Sequence, residues 1–228
     1  MKNIFLSELK KNTPVVLSQS ILLCLITAAL SFLLTRFPEY SDVFGKNMPL
    51  IITVPLQLWF LYETARDSTE LFVRDEITGS IYMLLDQVCS RETIFIAKFI
   101  WMSVRLILSV LMLTISQICC SMAAGGYSDR FAFTYLLCVL GSFMFCGAQS
   151  MNAGLTAKPD TDVMRKVRKL RAAAILISFT CAAVTVLFLV WIRDYVFTGS
   201  VIISVAGCII YTISAFSCYR IYIERDLI

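Results

Sequence analysis

Long apolar segments alternate with short polar ones along the whole chain. A helix needs about 20 consecutive apolar residues to cross the roughly 30 Å of hydrocarbon in a bilayer. Six segments approach or exceed that length, although the second has a short apolar centre, Pro49 to Tyr62, and must include flanking residues. The pattern predicts an all-α, polytopic membrane protein, a single transmembrane domain over residues 1–228. The six predicted spans are 15–35, 46–65, 93–123, 131–151, 172–192 and 200–219.

The distribution of basic residues orients the predicted spans. Lys and Arg concentrate in the short cytoplasmic loops of membrane proteins. If the N-terminus is cytoplasmic, fifteen of the 20 Lys and Arg residues fall inside, four fall outside, and Arg105 lies within the third span. Both termini are therefore predicted to be cytoplasmic. The three outer loops, 36–47, 124–130 and 193–199, are short, so little of the chain is available outside to bind a large partner.

Composition agrees with a membrane protein and excludes several kinds of site. Hydrophobic residues make up 58% of the chain and charged residues 16%, whereas soluble domains have about 45–50% and about 25%. The chain has no histidine, which excludes a Ser-His-Asp triad, an HExxH zinc site and histidine-ligated haem. Eight of the nine cysteines lie in apolar segments, where they are interpreted as small hydrophobic residues. The net charge of +4 does not suggest nucleic acid as a partner.

The chain also lacks the phosphate-binding motif of ATP-hydrolysing P-loop proteins. No G-x-x-x-x-G-K-[ST] sequence is present, and the one Gly-Lys pair, Gly45-Lys46, has Tyr40 where the first glycine of that motif should stand. The chain is therefore predicted not to be an enzyme and to bind neither a cofactor nor a metal.

Two polar segments have apolar residues at helical spacing, and they are predicted to form amphipathic helices outside the hydrocarbon of the membrane. In residues 1–13, Phe5 and Leu9 are one helical turn apart and are accompanied by lysines, which suits a short interfacial helix that Pro14 ends. The alternative is a frayed basic start that only sets topology. Residues 75–90 have apolar residues on one helical face, with Asp75 and Glu76 near the start, where the helix dipole favours negative charge. The face consists of Ile77, Ile81, Leu84, Leu85 and Val88.

The 75–90 segment resembles a segment found in permease subunits of type-2 ABC transporters. That family carries the pattern E-x-x-G-T-x-x-x-L-L-x-x-P-x-S-R, followed by a lysine, between its second and third spans. Here Ser80 replaces the threonine and Val88 replaces the proline. The number of spans and the side on which the segment lies are also similar. The matching positions are Glu76, Gly79, Leu84, Leu85, Ser90, Arg91 and Lys98.

The resemblance implies that residues 75–90 form a coupling helix, with Ile81 on its docking face, that seats on a separate ATP-binding cassette ATPase. Two ATPase copies would bind ATP and Mg, and a second permease copy would complete the membrane part. A homodimer is the simpler assembly, and a heterodimer stays open. Compact permeases of this exporter kind reside in the plasma membrane of Gram-positive bacteria and move peptides. The implied cargo is therefore hydrophobic or amphipathic, with a peptide or toxin favoured. Without the resemblance, the same helix could equally lie on the membrane surface.

Polar residues inside the predicted spans are the candidates for a substrate path. Arg105 is the one basic residue well within a span, and Gln57 and Gln117 are uncharged polar residues in the second and third spans. Arg105 could alternatively pair with another residue or extend back to the interface, and the glutamines could join helices by hydrogen bonds. Small residues recur every four positions in the fourth span, from Cys138 to Gly154, and in the fifth, from Ala174 to Ala182. Either stripe could lie at a dimer seam or simply allow close helix packing.

Two other classes of function compete with the permease. A secondary transporter or a membrane scaffold would need no ATPase, and a proton-coupled carrier would normally show Asp or Glu in mid-span, where Glu63 is the nearest candidate. An intramembrane enzyme would need histidine or clustered carboxylates within the spans.

The predicted topology can be tested with reporter fusions. Alkaline phosphatase, which is active only outside the cytoplasm, is expected to be active when fused after residue 41 and inactive after residue 160, because residues 158–171 carry six Lys and Arg. Green fluorescent protein fused at the same two positions should give the opposite pattern. Activity of the phosphatase at both positions would contradict the six-span topology.

Overall fold

The computed structural model describes residues 2–36, 48–70, 90–123, 128–156, 163–191 and 196–224. These residues contain helices and no strand, which confirms the all-α prediction for the described part of the chain. The helices are α1 Lys2–Arg36, α2 Met48–Glu70, α3 Arg91–Ala123, α4 Asp129–Thr156, α5 Val163–Trp191 and α6 Val196–Glu224.

Four of these helices contain stretches long and apolar enough to cross a membrane. They are Val16–Leu33 in α1, all of α3, all of α4, and Phe197–Glu224 in α6, with mean hydropathies of 1.9 to 2.1. In α2, Pro49, Pro55, Gln57 and Glu63 interrupt the apolar run. In α5, side chains are described only as far as Thr185 within the apolar part. The described residues therefore make this a helical protein with four candidate spans, and the six-span topology stays a prediction.

The first helix differs from the sequence-based expectation. A short helix ending at Pro14 was expected, but α1 continues through Pro14 from Lys2 to Arg36. Proline removes one backbone donor and clashes with the carbonyl one turn earlier. Apolar helices nevertheless tolerate proline when local adjustments satisfy the freed backbone groups.

Interhelix contacts show that odd-numbered and even-numbered helices run in opposite directions. α1 and α3 are parallel, since Gln19 contacts Arg105 and, further along both helices, Thr27 contacts Ser116. α3 and α6 are antiparallel, since Ser103 contacts Tyr211 and, earlier in α3, Arg91 contacts the carbonyl of Ile223 near the end of α6. An up-and-down bundle follows, in which the N-terminal ends of α1 and α3 share one end with the C-terminal end of α6.

The same end of the bundle carries the C-terminal ends of α2 and α4 and the N-terminal part of α5. The α2 and α4 helices are parallel, because Cys146 donates to the carbonyl of Leu61 and Gly154 meets Thr69 eight residues later on each helix. An ion pair of 3.1 Å then joins Glu70 to Arg171. We call this the charged end. The predicted cytoplasmic segments, which carry fifteen of the 20 Lys and Arg residues, adjoin the helix ends at this end of the bundle.

Helix α4 is the centre of the bundle, and its closest neighbour is α6. A Cβ atom added to Gly141 would lie 2.6 Å from the carbonyl oxygen of Ile203, and one added to Gly207 would lie 2.6 Å from the carbonyl oxygen of Gly141. The two backbones are therefore in direct contact. At the charged end, the amide side chain of Asn152 extends the contact by donating to Ser214 at 3.1 Å.

The stripes of small residues in α4 and α5 are used inside the chain. Ser142 of α4 hydrogen-bonds Thr185 of α5 at 2.5 Å, and the α4 residues at four-residue spacing are buried against α2 and α5. The α5 stripe is buried as well. Intrachain packing therefore accounts for both stripes, and neither is free to form a dimer seam. The buried residues are Cys138, Ser142, Cys146, Ser150, Gly154, Ala174, Ser178 and Ala182.

We expect Gly141→Val to destabilise the bundle by about 1–3 kcal/mol, the usual cost of overpacking a close contact. The physical reason is that the new side chain meets backbone, which cannot rotate away. The measurement is thermal unfolding of the purified protein in detergent. Gly147→Ala is the control, because the nearest atoms to its new Cβ are side-chain atoms of Leu106 and Tyr211 at 3.2 Å. Equal losses of stability in the two variants would contradict the proposed backbone contact.

Candidate functional site

Two residues of the family-like motif lie at the start of α3. The hydroxyl of Ser90 accepts a hydrogen bond from the backbone N–H of Thr93 at 3.3 Å, and the carbonyl of Ser90 accepts one from Ile94 at 3.1 Å. This is the arrangement of a helix N-cap, which satisfies donors that the first turn leaves unpaired. Arg91 donates to the carbonyl of Ile223 at 3.2 Å and so ties the start of α3 to the end of α6.

Most of the predicted coupling segment cannot be compared with the structure. Its residues Glu76, Gly79, Ile81, Leu84 and Leu85 lie outside the described residues. The same holds for the side chains of two residues in the predicted interfacial helix, although their backbone belongs to α1. These are Phe5 and Leu9.

A row of aromatic rings holds the first turns of α3 against α6. Phe95 lies 5.4 Å from the ring of Tyr219 and 5.6 Å from that of Tyr222, and Phe99 stacks on Tyr211 at 5.5 Å. Such pairs contribute about 0.5–1.5 kcal/mol each beyond their burial. Lys98, the last residue of the family-like motif, lies on this part of α3 and is 1% exposed. The N-terminal third of α3 is therefore fixed to α6 by packing as well as by Arg91.

Further along α3, five side chains from three helices form an ionic cluster. Gln19 comes from α1, Glu63, Arg66 and Asp67 come from α2, and Arg105 comes from α3. Arg105 forms an ion pair with Asp67 and lies 3.8 Å from Glu63. Arg66 pairs with Glu63 at 2.6 Å and with Asp67 at 3.2 Å. Gln19 links the two signs of charge, donating to Glu63 at 3.1 Å and accepting from Arg105 at 3.3 Å.

The charges of the ionic cluster balance. It contains two carboxylates and two guanidinium groups, and the side chain of Arg105 is only 11% exposed. A buried charge without a partner costs several kcal/mol, so the pairing is what allows Arg105 to lie within α3. Of the alternatives that the sequence left open for Arg105, structural pairing is present. A role in substrate passage stays a prediction.

The partners of Arg105 were not identified from the sequence. Glu63 was singled out only as the acid nearest to mid-span, at the inner end of the predicted second span, and Gln19 and Asp67 were not singled out. The available signal was the spacing of Glu63 and Asp67, which are four residues apart and so lie on one face of a helix. Asp67 lies beyond the end of the predicted second span, 46–65, so the sequence did not require a basic partner for it within the membrane.

Gln57 and Gln117 do not join the ionic cluster. Both are buried, at 2% and 1% exposure. The amide of Gln117 donates to Ser121 at 3.4 Å within α3 itself. Among the described residues, the amide nitrogen of Gln57 has no hydrogen-bond partner. The structure therefore does not bring the three candidate path residues together.

A cleft of about 550 Å³ lies between α1 and α3. Its wall on α1 runs from Ser20 to Ser31, and its wall on α3 runs from Met112 to Met122. Ser20 is the residue after Gln19, so the cleft starts next to the ionic cluster on α1. Among the described residues, no group of three or more His, Cys, Asp or Glu side chains could hold a metal ion. The lining residues are Ser20, Leu23, Cys24, Thr27, Ala28, Ser31, Met112, Ile115, Ser116, Cys119 and Met122.

Comparison with known proteins gave no match to a protein-family model, to a curated protein or to a solved structure. The function proposed below therefore depends on the residues of this chain and on the resemblance of its 75–90 segment.

The ionic cluster leads to a prediction about stability. We expect Arg105→Met to lower the free energy of unfolding by about 1–3 kcal/mol, because it leaves the buried Glu63 and the partly buried Asp67 with Arg66 as their remaining cationic partner. Adding Asp67→Asn to Arg105→Met should recover part of that loss, since it removes one of the uncompensated charges. Thermal unfolding in detergent measures both effects.

The control is Arg220→Met, which removes an exposed ion pair with Glu224. Exposed pairs contribute little, so this variant should unfold like the unmodified protein. If Arg105→Met and Arg220→Met had the same stability, the ionic cluster would not hold α1, α2 and α3 together.

Proposed function

We propose that this chain is the membrane-spanning permease subunit of an ATP-driven ABC exporter of the type-2 kind. A separate nucleotide-binding subunit, present in two copies, hydrolyses ATP with Mg. This chain spans the bacterial plasma membrane six times with both termini in the cytoplasm, and a second copy completes the pathway. The cargo is hydrophobic or amphipathic, and a peptide or toxin fits best.

The observation that carries the proposal is that α3, a long helix, begins directly after the predicted coupling segment, residues 75–90. The helix begins one residue after the Ser90 cap and extends for 33 residues, about 50 Å at 1.5 Å per residue. This exceeds the roughly 30 Å of hydrocarbon. The charged residues of α3 near the coupling segment, Arg91, Glu92 and Lys98, suit the part of the helix that extends beyond the membrane. A movement of residues 75–90 would therefore be applied directly to the end of a long helix.

The contacts of α3 support its use as a lever. Near its start it is fixed to α6 by Arg91 and the aromatic row, and about two turns beyond them it is fixed to α1 and α2 by Arg105. A rigid element with several attachments passes a displacement to all of its neighbours, because packed interiors are not continuously deformable. A push on α3 would thus reach α1, α2 and α6 together.

One observation favours a second candidate function, a secondary transporter without an ATPase. The ionic cluster contains two carboxylates, Glu63 and Asp67, within contact distance of Arg105. Carboxylates beside a basic residue in a membrane occur in proton-coupled pathways. The balanced pairing of the cluster fits a structural role at least as well, and the 75–90 segment would then lack a partner. The permease is therefore the better-supported proposal.

The proposal predicts that the chain copurifies with an ATP-binding cassette ATPase encoded by a neighbouring gene. In proteoliposomes containing both proteins, Glu76→Lys or Gly79→Leu should lower ATP-driven transport by about ten-fold, a loss of about 1.4 kcal/mol in coupling. Insertion of the variants should be unchanged, because these residues lie outside the predicted spans. Transport is measured with a fluorescent amphipathic peptide, and ATPase activity is measured in parallel.

The matched control is Glu39→Lys, which makes the same change of charge in the predicted outer loop 36–47, on the side of the membrane opposite to the ATPase. It should leave coupling nearly unchanged. Transport by the chain alone, driven by a proton or sodium gradient with no ATPase present, would contradict the permease and support the secondary transporter.

A further inference from the structure

The two walls of the cleft between α1 and α3 belong to two of the four candidate spans, so we expect the cleft to lie within the hydrocarbon region. On the α1 wall Cys24 and Ala28 are exposed, and on the α3 wall Ile115, Cys119 and Met122 are exposed. The cleft is therefore open toward the surrounding lipid rather than toward the centre of the bundle.

Most hydroxyl groups that line the cleft already form hydrogen bonds within the protein, so the lining is poorly suited to binding water. Thr27 and Ser116 hydrogen-bond each other at 2.7 Å, and the hydroxyl of Ser20 donates to the carbonyl of Val16 at 2.6 Å. A bound water needs two to four polar partners, and these hydroxyls are already engaged within the protein. The remaining lining is apolar apart from Ser31, whose buried hydroxyl has no hydrogen-bond partner among the described residues. The lining as a whole therefore favours a largely apolar occupant.

The dimensions of the cleft suit one hydrocarbon chain. The α1 wall from Ser20 to Ser31 is about 16 Å long at 1.5 Å per residue. The volume of about 550 Å³ falls within the range of about 300–1,000 Å³ that small-molecule sites occupy. An occupant that follows both walls would make dispersion contacts with the apolar lining along this length.

We propose that the α1–α3 cleft is a binding site for one acyl chain of a membrane lipid. The chain enters from the side, between the exposed walls, and lies along the helices from Ser20 toward Ser31. It fills the space between α1 and α3 and so becomes part of the contact between them. This site does not depend on the chain being a transporter subunit.

The site can be tested by photolabelling in lipid nanodiscs. The probe is a phosphatidylcholine with a diazirine in one acyl chain, and adducts are mapped by mass spectrometry of peptides. Adducts are expected to concentrate on residues 20–31 and 112–122. Ala28→Trp places an indole in the cleft and should lower labelling of these two segments by about ten-fold.

Ala29→Trp is the matched control, because Ala29 is the next residue, is also exposed and does not line the cleft. It should leave the labelling unchanged, and size-exclusion chromatography should show that both variants fold. Equal labelling in the two variants, or adducts spread evenly over all exposed apolar faces, would mean ordinary contact with surrounding lipid and would overturn the proposal.

A second copy of this chain is the competing occupant. Cys24 and Cys119 are exposed thiols that line the cleft, so they report on it directly. If a second copy filled the cleft, a bifunctional maleimide would join these cysteines between two chains and the acyl-chain adducts would be absent. That result would also overturn the proposal. A lipid in the cleft should instead give adducts without crosslinks between chains at these positions.

Discussion

A guanidinium group among apolar helices has to be neutralised by its neighbours, and this requirement determines how the first three helices meet. Arg105 of α3 satisfies it with Asp67 and Glu63 of α2, and Gln19 of α1 bridges the two signs of charge. Because Arg105 and its carboxylate partners come from separate helices, α2 and α3 cannot move apart without separating opposite charges in a medium of low dielectric constant. Movement of α1 would break the two hydrogen bonds of Gln19. These contacts fix the first three helices relative to one another.

The other half of the bundle is held by a different kind of contact. Between α4 and α6 the backbones touch at Gly141 and Gly207, and the association depends on shape rather than on charge. In lipid there is little hydrophobic gain from burying one apolar helix against another, so close van der Waals packing has to supply the attraction. The molecule thus combines an ion-paired group of three helices with a tightly packed pair, and α3 belongs to both through its aromatic contacts with α6.

The sequence predicted the helices better than their contacts. The lengths of the apolar segments alone located all six helices, within a few residues at most boundaries. The reason is that a helix must present about 20 apolar residues to cross a bilayer, which makes such segments easy to recognise. The predicted helix end at Pro14 was wrong, because a proline makes a helix end probable but does not require one, and α1 continues through it. The sequence could not identify the partners of Arg105, since Gln19 and Asp67 are distant along the chain and only folding makes them neighbours. Small-residue spacing likewise indicated close packing of α4 but not which helix it packs against.

The position of α1 has a consequence for how the protein is made. Its described hydrogen-bond partners in α3, Arg105 and Ser116, follow Gln19 and Thr27 by 86 and 89 residues. At about 5–20 residues per second, roughly 5–20 s separate the synthesis of α1 from that of its partners. During that interval α1 lacks these partners, and its uncharged, apolar stretch Val16–Leu33 needs none of them to be stable in a bilayer. Glu63 and Asp67 of α2 likewise lack the guanidinium of Arg105 until α3 has been made.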